Sequence, residues 1–141
     1  MSSPVSSSTT ILLPWDVPPL SLNDRHSSKF EEAKIIAKTR ADAGWVVKSR
    51  RLGRHPHVTV ELRYQPKRRG RHDEDNLVAT QKPICDGIVD VGVVPDDTPE
   101  YMTKLMPVVI TPTRSQRRGM LWLIITPSTP RGPVAAPDTW V

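Results

Sequence analysis

The stretch 58–92, VTVELRYQPKRRGRHDEDNLVATQKPICDGIVDVG, decides the fold, because its hydrophobic period changes once along its length. Val58, Val60, Leu62 and Tyr64 alternate with Thr59, Glu61 and Arg63, the two-residue repeat of a strand buried on one side. Pro66 ends that strand, since it has no N–H to donate to a ladder. A basic run and then an acidic run follow, and from Asp75 to Val91 the spacing becomes helical. Leu77, Ile84, Ile88 and Val91 fall within about 40° of one direction, and Asp75, Lys82, Asp86 and Asp90 fall near the opposite one. Gly92 supplies the left-handed stop. Pro83 lies inside this helix, where it removes a donor and crowds the preceding turn, so a kink or a fresh start is expected there.

Upstream, Ser28 with Glu31 three residues later is a capping-box pattern that opens another helix. Phe30, Ala33, Ala37, Ala41 and Trp45 recur at helical spacing, and that face is expected to pack on the sheet. Ile11 to Trp15 reads as a short strand. Val108 to Thr111 and Met120 to Thr126, separated by Pro112, Arg114, Ser115 and Gly119, read as a hairpin with a long basic loop. Strand, helix, strand, helix and two strands in that order predict an α+β fold, a small mixed sheet with two main helices packed on it. Residues 1–10 and 128–141 are rich in Ser, Thr, Pro and Ala without periodicity and read as flexible tails around a domain spanning 11–127.

At 141 residues the chain suits one domain with a modest core. No apolar run approaches the length of a membrane span, and the first ten residues lack the basic-then-apolar order of a secretory signal, so a cytoplasmic protein without a membrane partner is expected. The single cysteine, Cys85, excludes an internal disulfide and a zinc-finger spacing, and reads as a small buried hydrophobe. His55 and His57 flank Pro56 with no third ligand at metal spacing. Nothing in the chain suggests a small-molecule cofactor. Twenty Lys and Arg against fifteen Asp and Glu give a net charge of +5, which favours a polyanionic partner. The segregation is more telling than the sum: bases gather from Arg50 to Arg71 and acids from Asp73 to Glu100.

That junction of charge carries the chemistry. Phosphodiester hydrolysis needs charge stabilisation on the attacking and leaving oxygens, and Mg²⁺ held by a few carboxylates supplies it. Asp73, Asp75 and Asp97 are candidate ligands, the first two sharing a side where the backbone is extended ahead of the helix. The same residues have ordinary structural roles open to them: an N-cap, first-turn acids facing the helix dipole, and an Asp pair in the turn before Thr98 and Pro99. Lys82 is likewise spaced to pair with Asp86 one turn on.

Asp73, Asp75, Asn76 and Leu77, then Lys82 and Pro83, Asp86 and Gly87, Gly92, Asp96 and Asp97 together resemble the signature of the RusA family. These are crossover junction endodeoxyribonucleases of phages and prophages. The resemblance extends more loosely over residues 11–127, including Leu22, Asn23 and Arg25 before the first helix. It implies that Asp73, Asp75 and Asp97 hold Mg²⁺, with Mn²⁺ as a substitute, and that Lys82 takes part in catalysis. It also implies a four-way DNA junction as substrate and a homodimer presenting two sites to it. Lys82 stands further from Asn76 than in the shorter form of the motif, which an insertion between them explains.

Lys67, Arg68, Arg69 and Arg71 immediately precede the carboxylates, where guanidinium and ammonium groups hold backbone phosphates, and Asn23 and Arg25 join them as candidate DNA contacts. Arg50, Arg51, Arg54, Arg114, Arg117 and Arg118 extend the possible footprint. Aromatics are too few for a single-strand stacking platform. Two opposed nicks in a two-fold junction require two chains, and the apolar strand from Met120 to Ile125, or the hairpin edge beside it, is a candidate contact between them, although that strand reads first as ordinary core. Two other readings stand beside junction cleavage: a branched-DNA-binding module that does not cleave, and a nuclease acting on flaps or forks.

Overall fold

The structure is a computed structural model that describes residues 7–20, 28–68 and 75–130, and for Asp75 and Asn76 the backbone alone. A five-stranded mixed sheet carries two helices, the predicted α+β architecture. Its hub is β2 (Val58–Gln65), whose alternation places Val58, Val60 and Leu62 in the core and leaves Thr59, Glu61 and Arg63 half-buried on the other face. β5 (Met120–Pro127) runs antiparallel along the whole of β2, from Val58 opposite Pro127 to Gln65 opposite Met120. Two short strands share the other edge of β2, both parallel to it: β3 (Met102–Lys104) beside its start and β4 (Val108–Val109) beside its end. β1 (Thr9–Leu12) closes the outer side of β5 antiparallel.

The expected hairpin is therefore not formed. β4 and β5 lie on opposite sides of β2, because Arg63 and Tyr64 pair with Val108 and Val109 on one side and with Trp122 and Leu121 on the other. A run of apolar residues marks each segment as a strand and does not distinguish its partners. β5 is paired with β2 over its whole length and with β1 from Trp122 to Ile125. Thr9, Thr10 and Ser128 belong to the folded unit, although composition assigned them to tails. Thr9 and Thr10 pair with Ile125 and Ile124, and the Ser128 N–H donates to the His57 carbonyl at 3.0 Å. The first strand correspondingly ends at Leu12 and does not reach Trp15.

α1 (Lys29–Ser49) starts where the capping box places it, with the Glu31 N–H donating to the Ser28 hydroxyl at 3.1 Å. Its buried residues are Thr39, Ala43, Gly44 and Val47. The stripe Phe30, Ala33, Ala37, Ala41 and Trp45, expected to face the sheet, is the exposed side, with Phe30 69% and Trp45 73% accessible. Close approach to α2 (Asp75–Asp90) decides this orientation. A methyl on Gly87 would lie 2.5 Å from the Arg40 carbonyl oxygen and 2.9 Å from the Gly44 nitrogen, so the two backbones touch where neither residue has a side chain. Large residues cannot occupy that contact, and the larger side chains of α1 turn away from it. A bidentate pair from the Arg40 guanidinium to the Asp90 carboxylate fastens the two helices at their surface, and raises the arginine and lowers the aspartate from their ordinary pKa values.

α2 is continuous through Pro83, with neither the expected restart nor a division into two elements. Proline leaves one carbonyl a turn earlier without its usual donor, and packing on both sides offsets that loss. Leu77, Ile84, Cys85 and Ile88 are buried against the sheet residues Val60, Leu62, Leu121 and Leu123 in one core. Each large aliphatic buried there contributes about 1.5–3 kcal/mol relative to exposure. Burial also pushes the Cys85 thiol up to about 12, so it is a core hydrophobe as expected. The helix ends as predicted, with Gly92 at φ +84° and its N–H donating to the Val89 carbonyl.

Candidate functional site

Three elements bring their charges to one place. Lys82 projects from the exposed side of α2, and its ammonium donates to Asp86 Oδ1 at 3.0 Å and to Asp97 Oδ2 at 2.8 Å. Lys104, the last residue of β3, donates to the same Asp97 Oδ2 at 2.8 Å. Asp97 reaches this point because the loop after α2 is anchored at both ends. Val93 and Val94 are buried, the His55 N–H donates to the Val93 carbonyl, and Met102 enters the core at the start of β3. Between them the Asp97 N–H donates to Asp96 Oδ1 at 2.8 Å, and the Thr98 carbonyl accepts from Tyr101 and Met102, a tight turn that aims Asp97 back at α2.

Two ammonium groups on one carboxylate oxygen set the electrostatics. Lys104 first and Lys82 second hold the Asp97 carboxyl well below the usual carboxylate range. The hydrogen bond to Asp97, assisted by Asp86, pushes Lys82 up to about 12. The charges of Lys82 and Asp97 persist across the physiological range. The Lys82 side chain is 62% accessible, so its pairing with Asp97 contributes under about 1 kcal/mol to stability. Asp97 is mostly covered, at 17%, and Oδ1 has no hydrogen-bond partner among the described residues. One oxygen is therefore committed to lysines; a carboxylate oxygen is a donor type that suits hard Mg²⁺.

Of the predicted ligands, Asp97 is placed beside Lys82. Asp75 opens α2, about 10 Å along the helix axis from Lys82, and only its backbone is described. Asp73 lies outside the described residues, as do Asn23, Arg25, Arg69 and Arg71. Among the described residues no group of three His, Cys, Asp or Glu side chains is arranged to hold a metal. Lys104 was not foreseen. It belongs to a three-residue strand, too short to show a period, and only the parallel pairing of Lys104 with Val60 carries it to the cluster. Its one signal in the sequence is position, seven residues after Asp97.

A second concentration of charge lies past the end of β2. Lys67, Arg68, Pro112, Arg114 and Arg117 line a cavity of about 200 Å³. The loop supplying the last three is pinned to the sheet: the buried Gln65 amide donates to the carbonyls of Gln116 at 3.2 Å and Arg118 at 3.0 Å. A turn from Thr113 to Gln116 presents Arg114 at its apex. Chain continuity relates this basic cavity to the acids, since Arg68 and Asp75, the first residue of α2, are seven residues apart.

His57 is fully buried, its Nδ1 2.7 Å from the Ser128 hydroxyl and its Nε2 3.3 Å from that of Thr103, which makes it a fastener between β2, β3 and the end of β5. Among the described residues no helix is long and apolar enough to cross a membrane. No protein-family model matches the chain, and comparison with curated proteins gives no significant match.

Proposed function

We propose that this protein is a Mg²⁺-dependent endonuclease acting on branched DNA, of the RusA type. The observation that carries the reading is the meeting of Lys82 and Lys104 on Asp97, drawn from α2, β3 and the loop between them. In this reading Asp73, Asp75 and Asp97 would hold the ion, with Mn²⁺ as a substitute. When bound, the ion stabilises charge on the phosphate and lowers the pKa of a water. Asp97 arrives already ionised, so no proton has to leave it. Lys82 keeps its proton, and Lys82 and Lys104 lie where an ammonium can neutralise charge developing on a phosphate oxygen. The basic cavity gives the flanking phosphates a seat and offsets their repulsion by the carboxylates.

The double pairing of Asp97 Oδ2 favours a second reading, a branched-DNA-binding module in which lysines take the place of a metal. Incubation with a synthetic four-way junction, a flap, a fork and linear duplex, with and without Mg²⁺, separates the possibilities. Paired nicks in the junction that appear only with Mg²⁺ or Mn²⁺ are the expected result. Tight binding with no cleavage of any substrate selects the module, and cleavage confined to flaps or forks changes the substrate.

Exchanging Lys67, Arg114 and Arg117 together for Gln should weaken junction binding and flatten its salt dependence. Each lost phosphate contact removes about 0.9 from the slope of log affinity against log salt, so a fall of about 2–3 is expected. An unchanged slope would move the DNA path to another surface.

A further inference from the structure

We infer that the cavity between the segment after β1 and the start of β5 is a pocket for one unpaired guanine base, stacked on Trp15 and read along its edge by Asp16 and Arg118. Leu12, Trp15, Asp16, Arg118, Gly119 and Met120 are among the residues that line this cavity of about 320 Å³, which is at the small end of ligand sites and suits one ring system. The sheet holds its two walls in register. The Leu13 N–H donates to the Leu121 carbonyl at 2.9 Å, which carries the pairing of β1 and β5 one step past Leu12. Beyond that bond the backbones touch. A methyl on Gly119 would overlap the Asp16 carbonyl oxygen and lie 3.5 Å from Asp16 Cβ, so Arg118, the neighbour of Gly119, starts beside Asp16. The buried Gln65 amide holds the Arg118 carbonyl at 3.0 Å.

The lining residues differ in what they offer. Trp15 is half-buried and packs against the core, and it is the one aromatic in the lining, with Leu12 and Met120 as apolar neighbours. A base of any identity stacks on such a ring. Identity is read at the edge. A carboxylate only accepts hydrogen bonds, so its two oxygens match two neighbouring donors. Guanine alone among the four DNA bases presents them, at N1 and N2. Adenine and cytosine set a ring acceptor beside their amine, and thymine sets a carbonyl on each side of its single N–H. The guanine edge continues into the O6 and N7 acceptors, which a guanidinium engages bidentately. Asp16 and Arg118, side by side, follow those donors and acceptors in order. Both are exposed, and among the described residues neither is held in an ion pair, with the other or with a third group.

The pocket adjoins the basic cavity, since Arg117 lines one and Arg118 the other, and Gln65 pins the loop that carries both. A phosphate seated on Arg114 and Arg117 is therefore next to a pocket for a base of the same strand. That base must be unpaired, because Watson–Crick pairing covers N1 and N2, and a base already unpaired enters at least cost. The inference deepens the proposed function by adding a base-reading contact to it. It rests on that reading only for DNA as the ligand, and its test measures binding without cleavage.

Fluorescence anisotropy of the full chain with labelled short dT strands, identical except for one central base, measures the preference in the absence of Mg²⁺. The guanine strand should bind at least about fivefold more tightly than the adenine, cytosine or all-thymine strand, and hypoxanthine, which lacks the N2 amine, should lose most of that gain. Asp16→Asn should bring the guanine-to-thymine ratio below about twofold while affinity for the all-thymine strand holds or rises, since one negative charge is removed. Asp16 is exposed, so the fold is little affected. Trp15→Ala should weaken every strand at least about fivefold, and Trp15→Phe should keep most of the binding, which separates stacking from loss of the fold. Exchanging Lys67, Arg114 and Arg117 for Gln should weaken all strands and leave the ratio unchanged, because the phosphates are common to them. Equal affinity for the guanine and all-thymine strands, undetectable binding of both included, overturns the proposal, and so does a guanine preference that survives Asp16→Asn undiminished. Guanine-selective binding by a chain that cleaves no DNA would refute the nuclease reading and leave this one standing. Mg²⁺-dependent junction cleavage with no base preference in binding would do the reverse.

Discussion

Asp97→Asn is expected to abolish Mg²⁺-dependent cleavage of a four-way junction, a loss of at least about a thousandfold, while junction affinity is unchanged or higher. The amide keeps the shape of the side chain and removes the charge that would bind the ion. It also leaves the Lys82 and Lys104 ammonium groups without their shared negative charge, so the surface becomes more attractive to phosphate. Asp73→Asn and Asp75→Asn should behave alike, whereas Lys82→Ala should slow cleavage about 10- to 100-fold with affinity within about threefold. Single-turnover rates and gel-shift titrations on the same junction measure the two quantities separately. Near-normal cleavage by all three asparagine variants would remove these residues from the chemistry. The pH dependence follows from the same cluster. The pKa of Asp97 is lowered on folding, so its contribution to stability is present above the ordinary carboxylate value near pH 4 and is lost as pH falls through the lower folded value. Lys82, raised to about 12, holds its proton throughout the neutral range. Neither group titrates between about pH 5 and 9, and a rate change in that window is expected to come from the bound water.

The largest effect on stability is expected from Gly87→Ala. In an exposed helix interior the same change stabilises by about 1 kcal/mol, because alanine has the better helix propensity. Here the added methyl would lie 2.5 Å from the Arg40 carbonyl oxygen and 2.9 Å from the Gly44 nitrogen, both backbone atoms that no rotamer change can move. α1 must lift from α2, loosening Ala43 and Val47 and the Arg40–Asp90 pair together. A net loss of about 2–3 kcal/mol follows, seen as a fall of roughly 10 °C in Tm. Gly44→Ala should cost less, since its methyl would meet the Gly87 carbonyl oxygen at 3.2 Å, a distance that a small shift relieves. Thermal melts of the two variants test the order as well as the sign. Equal or increased stability of Gly87→Ala would show that the helices separate freely.

Where local periodicity is strong, the sequence was sufficient. β2 alternates cleanly over eight residues, Ser28 and Glu31 form their cap, and Gly92 ends α2, because each of these depends on neighbours a few positions away. The charge segregation that marked Asp97 was legible for the same reason, whereas Lys82 was singled out by the resemblance of the motif around it. Tertiary structure decided what depends on partners distant in the chain. Helical spacing located the apolar stripe of α1 correctly and misdirected it, since contact with Gly87 on another helix, invisible to α1's own period, determines which side is buried. The segments 108–111 and 120–126 each looked like strands, and only the shared partner β2 determined that they lie apart, one parallel and one antiparallel to it. Lys104 entered the cluster through a three-residue parallel pairing, too short to leave a pattern. Local order follows from backbone geometry and side-chain period, which sequence records position by position, whereas faces, edges and clusters arise from packing between elements and appear only when the chain is assembled.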